Sequence, residues 1–132
     1  MSEQLMVCKA LAAMIRHHGE TSEEEVTFVA HAAYELALTP EQNTEVQQVL
    51  RQGGDFDAAV AAITSRSMRH YFFRRLVAAT LLDEVIEDHE IAMIEKTSAV
   101  FGFDEQVVVE FLDWMKEGIA WEKRGAALLA RL

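Results

Sequence analysis

The 132 residues fit one domain, and a 51% hydrophobic, 26% charged composition is that of a water-soluble globular fold. One proline, six glycines and a single cysteine exclude collagen, a proline-rich linker, an internal disulfide framework and a zinc site of two or more thiolates. Twelve Lys plus Arg against 22 Asp plus Glu leave a net charge of −10, which repels nucleic acid and anionic membranes.

No apolar run approaches the ~20 residues that span a bilayer, and the N-terminus carries no signal-peptide pattern. The expected setting is cytoplasmic, without membrane insertion and without nucleic acid.

Apolar residues recur with helical rather than strand period. Leu5, Cys8, Leu11 and Ile15 place a first helix over about 3–17. Ser22 and Glu25 have the spacing of a capping box, opening a second helix with Val26, Val29, Ala33 and Leu36 on its stripe. Thr39-Pro40 starts a third, with Thr as cap and Pro at the first helical position. It carries Val46, Val49 and Leu50 and stops at Gly53-Gly54. Asp55 caps a short fourth helix holding Phe56, Val60 and Ile63.

Tyr71, Phe72, Leu76, Val77 and Leu81 lie on a fifth helix. A sixth carries Ile91, Ile94 and Phe101 and ends at Gly102. Asp104 caps a seventh, with Val108, Phe111, Leu112 and Met115 inward. An eighth holds Ile119, Trp121, Leu128, Leu129 and Leu132, its bounds left open by Gly118 and Gly125. Val29, Leu36, Leu76, Ile94, Phe101 and Phe111 are the expected core.

A shift of 65 residues, without a gap, sets the halves in register. Leu11 falls on Leu76, Glu25 on Glu90 and Glu45 on Glu110. Val29 meets Ile94, Leu36 meets Phe101, and the capping Thr39 meets the capping Asp104. Phe56 meets Trp121, and Ile63 meets Leu128. The expectation is one all-α domain over 1–132, of about eight helices, in repeats of about 3–65 and 68–132 related by a pseudo-twofold axis. Helical hairpins of similar length also align by accident, which is the competing explanation.

Two acidic corners hold equivalent places. His17-His18-Gly19-Glu20-Thr21-Ser22-Glu23-Glu24-Glu25 joins helix one to helix two. Leu82-Asp83-Glu84-Val85-Ile86-Glu87-Asp88-His89-Glu90 joins helix five to helix six. In each, a ligand-capable side chain, His18 or Asp83, precedes a glutamate, Glu25 or Glu90, by seven residues.

These corners resemble those of the TerB-like family of bacterial tellurite-resistance proteins, whose loop pattern is roughly Asp-Gly-x-Ile-x-x-x-x-Glu, once per half. The first copy keeps Gly19 and Glu25 but has His18 and Thr21 for the aspartate and isoleucine. The second keeps Asp83, Ile86 and Glu90 but has Glu84 for the glycine. The resemblance implies an acidic, all-helical bundle of two similar halves and a divalent cation as candidate ligand, with Asp83, Glu90, His18 and Glu25 as its holders. Oxygen ligands and a neutral imidazole suit such an ion. The same glutamates are also explained by capping and by the helix dipole.

Other chemistries lack their residues. Neither corner has the ligand series of an EF-hand. No Glu-x-x-His pair suits a di-iron bundle, and no His-Glu-x-x-His motif is present. Cys8 lies among apolar neighbours, as a small buried side chain does. Arg66, Arg69, His70, Arg74 and Arg75 form the one basic concentration, read either as a solvated face or as a docking surface for an acidic partner, a second copy of this chain included. The leading expectation is a non-enzymatic interaction module with an unidentified protein partner, in a metal, tellurite or general stress setting. A carboxylate-metal enzyme and a purely structural domain are the alternatives.

Overall fold

The computed structural model describes residues 2–17, 21–81 and 86–132. These carry seven helices and no strand: α1 (Glu3–His17), α2 (Glu23–Glu35), α3 (Pro40–Gln52), α4 (Phe56–Ala61), α5 (Arg66–Thr80), α6 (Asp88–Phe101) and α7 (Glu105–Ala130). They gather into two compact units, Met1–Ala79 and Thr80–Leu132.

In the first unit α1 is the hub. Its sequence is apolar nearly all round, and a helix of that kind is stable only when enclosed. Leu5 through Cys8 and Ala10 through Ile15 are buried, and α2, α3 and α4 all pack on them. Cys8 has no solvent exposure, and burial pushes its thiol up to about 12. Val29, Val46, Ile63, Phe72 and Leu76 complete the interior. Phe56 of α4 meets Phe72 of α5 at 6.2 Å between ring centres.

The helix starts follow the local chemistry. The Ser22 hydroxyl accepts from the Glu25 amide, and Glu25 accepts from the Ser22 amide. Thr39 and Gln42 make the same reciprocal pair around Pro40. The Asp55 carboxylate accepts from the Ala58 amide. One long-range cap joins this set. Glu3 Oε1 accepts from the Thr64 and Ser65 amides at 2.5 and 2.7 Å, tying the start of α1 to the start of α5. These bonds hold the Glu3 carboxyl down at about 2.

In the second unit, α6 buries Glu90, Ile94, Thr97, Ser98 and Phe101 on one stripe. α7 has no fully buried residue. Its inner side chains, Val108, Phe111, Leu112 and Met115, are half-buried.

Three expectations need correction. There are seven helices among the described residues, not about eight, because α7 runs unbroken through Gly118 and Gly125. In the 65-residue register Gly118 matches Gly53, where the chain does turn. Gly53 is followed by a second glycine and by the capping Asp55, whereas Gly118 is followed by Ile119 and Ala120. Neither breaks a helix nor caps a new one. Leu36 and Phe111 are half-buried rather than core. Val26 and Ile91, placed on apolar stripes, are exposed by 38% and 42%.

The caps Ser22 and Glu87, and Thr39 and Asp104, each stand 65 positions apart.

Candidate functional site

Of the four residues expected to hold a cation, His18 and Asp83 lie outside the described residues. Glu25 and Glu90 occupy the same local geometry. Each sits three residues after its cap and accepts that cap's backbone N–H at 3.0 Å, Glu25 from Ser22 and Glu90 from Glu87. They differ in surroundings. Glu25 is half-buried at a helix start, whereas Glu90 is only 4% exposed. Beside it, His89 Nδ1 stands 3.2 Å from Glu87 Oε2. Among the described residues no three His, Cys, Asp or Glu side chains gather as a metal centre.

The basic concentration is partly structural. Arg69 donates from Nε to the Ile63 carbonyl. Arg75 reaches back to Glu35 of α2 and lies over the rings of Phe28 and Tyr71, at 5.6 and 5.4 Å. Tyr71 donates its hydroxyl to the same Glu35 oxygen at 2.8 Å, and His31 Nε2 stands 3.7 Å from it. The Tyr71 bond, aided by Arg75 and His31 against partial burial, holds the Glu35 carboxyl below the usual carboxylate range. Burial, reinforced by Glu35, pushes the Tyr71 phenol up to about 12. At neutral pH the carboxylate stays ionised and the phenol protonated. The cluster clamps α2 to α5, and neither Glu35 nor Tyr71 is poised to exchange a proton at neutral pH. Sequence reasoning found Arg75 and missed Glu35, because 40 residues separate them.

In the second unit a groove of about 570 Å³ lies between α6 and α7. Ile91, Ile94, Ala99, Phe103, Val108 and Leu112 give it apolar walls. Glu95, Glu105 and Lys116 also line it. It exists because α7 half-buries one stripe against α6 without closing the space. The sequence signal was present in the spacing of Ile91, Ile94 and Val108, but periodicity reports which face is apolar and not how tightly it closes.

Comparison with protein-family models, with curated proteins and with solved structures finds no match for the chain.

Proposed function

We propose that this chain is a non-enzymatic helical interaction module of TerB-like plan, built from two 65-residue repeats and working in a bacterial metal or general stress response. The α6–α7 groove carries the reading: it is concave and mostly apolar, with two carboxylates and one lysine in its lining. A protein of net charge −10 with such a groove suits an amphipathic helical segment whose polar face is basic. The experiment is a titration with a synthetic Leu/Lys amphipathic helix and its Leu/Glu counterpart. Binding of the Leu/Lys helix at least about tenfold tighter supports the reading, and Ala99→Arg, which fills the exposed groove wall, weakens it. Equal affinity for both helices, or none for either, removes it.

A divalent cation at the second corner is the companion reading, favoured by the burial of the Glu90 carboxylate. Glu90 and Asp83 would hold it as hard oxygen ligands. Melting curves with Ca²⁺, Mg²⁺, Mn²⁺ and Zn²⁺ test this. A metal-dependent rise that an Asp83→Asn, Glu90→Gln variant loses supports the site; equal responses, or none, reduce Glu90 to a cap.

A further inference from the structure

α7 has a second apolar face, on roughly the opposite side of the helix from the groove. Val107, Trp114, Trp121 and Leu128 recur every seven residues. All four are more than half exposed, Trp114 by 53% and Trp121 by 73%. Four residues after each stand Phe111, half-buried where this face meets the inner one, then Gly118 and Gly125, and Leu132, which follows the end of α7. Spacings of four and three, sustained over the three heptads from Val107 to Leu128, make the seam of a helix pair. In such notation Val107, Trp114, Trp121 and Leu128 take the d positions, and the second set takes a.

Charge fixes the direction of a partner helix. The first half of α7 carries Glu105, Glu110, Asp113 and Glu117 against Lys116. The second half and its cap carry Lys123, Arg124 and Arg131 against Glu122. A copy of the same helix laid antiparallel sets each acidic half on a basic half. The match extends to single residues. When the a and d layers are in register, Glu117 flanks the seam beside Arg124 of the second copy, and Glu110 beside Arg131. The parallel alternative sets Glu117 beside Glu122 of the second copy, a like-charge contact.

Shape agrees with charge. The antiparallel register places Trp121 of one copy across from Gly118 of the other, and Trp114 across from Gly125. Where a Cβ would stand on either glycine, no atom lies within 4 Å, so each leaves a notch on the helix. A large side chain opposite a notch is how facing helices interdigitate. The two indoles alone leave on the order of 300 Å² open, and the remaining seam extends this towards the ~800 Å² per partner of a stable dimer.

We propose that this protein forms a twofold homodimer through antiparallel pairing of α7, with Trp114 and Trp121 packed on Gly125 and Gly118 of the second copy. The contact is isologous, so it closes at two subunits. It uses a face other than the groove, so it stands or falls separately from the proposed partner helix.

The test is sedimentation of the full chain from low to high micromolar concentration, with helix content followed by circular dichroism. The native chain is expected to sediment as a dimer. Trp121→Glu with Leu128→Glu, both at exposed positions, should give a folded monomer. Glu117→Arg and Arg124→Glu should each raise the dissociation constant roughly tenfold, since each creates two like-charge contacts. The two together should restore the native value, because the reversed charges again face each other. A native chain that stays monomeric up to on the order of 100 μM overturns the proposal. So does a dimer that survives the Trp121, Leu128 variant, or a charge-reversal pair that is additive instead of restoring.

Discussion

Ala37 and Gly102 stand 65 residues apart and share the left-handed backbone conformation, with φ of 54° and 72°. Each follows the last turn of its helix, and the next residue closes the same bond: Leu38 N–H to the Ala33 carbonyl, Phe103 N–H to the Ser98 carbonyl. This is the helix-ending motif that favours glycine. Only one of the two sites has it. Ala37 therefore carries a steric penalty that Gly102 avoids.

Opposite stability changes are expected at these two sites. Ala37→Gly should stabilise by about 0.5–1 kcal/mol, the relief of left-handed strain less the entropy of a freer unfolded chain. Gly102→Ala should cost a similar amount, from the backbone alone, because no atom lies within 4 Å of the added Cβ. Urea unfolding of both variants measures this; shifts of the same sign would refute it.

Ile94 is 4% exposed on the inner stripe of α6. Ile94→Ala should cost about 2–5 kcal/mol, transfer and cavity terms together. Leu36→Ala, at a half-buried position, should cost distinctly less, about 1 kcal/mol. Equal losses in thermal unfolding would contradict the burial described above.

Thr97 is buried, and its Oγ1 has no hydrogen-bond partner among the described residues. Removing that hydroxyl while keeping the shape should raise stability. Thr97→Val is expected to gain about 1 kcal/mol, since a buried unsatisfied hydroxyl costs about 1–3 kcal/mol. A clear loss in urea unfolding would mean that the hydroxyl is bonded in solution.

Acid should loosen the first unit through Glu3. Its folded carboxyl lies at about 2 against an ordinary 4.5. A depressed carboxyl stabilises above its unfolded value, and that contribution fades as pH falls from 4.5 towards 2. Glu3→Gln should lower the melting point at pH 7 and flatten its decline between those limits. An unchanged acid slope would assign the decline to other groups.

Start signals were the most legible part of the chain. Ser22, Thr39, Asp55 and Asp104 all cap where the sequence places them, because a cap is decided within four residues. Stop signals were legible only where two cooperate. Gly53 with Gly54 and Asp55 ends α3, while Gly118 alone does not interrupt α7. Depth of burial was less legible: Leu36 and Phe111 have the spacing of core residues, but spacing does not count the neighbours that arrive. Glu25 and Glu90 were legible as capping positions. The Glu35–Tyr71–Arg75 clamp and the groove were not, since both depend on tertiary approach between helices that no local pattern encodes.

Cys8 is the only thiol of the chain, and it lies in the hub helix of the first unit with no solvent contact. A thiol at about 12 is inert at neutral pH, so a disulfide reagent meets it only when α1 leaves its neighbours. Its labelling rate is thus a built-in clock for opening of the first unit, and it is silent to events confined to the second. A variant that speeds helix loss without speeding labelling has acted on α6 or α7; one that speeds both has loosened the hub.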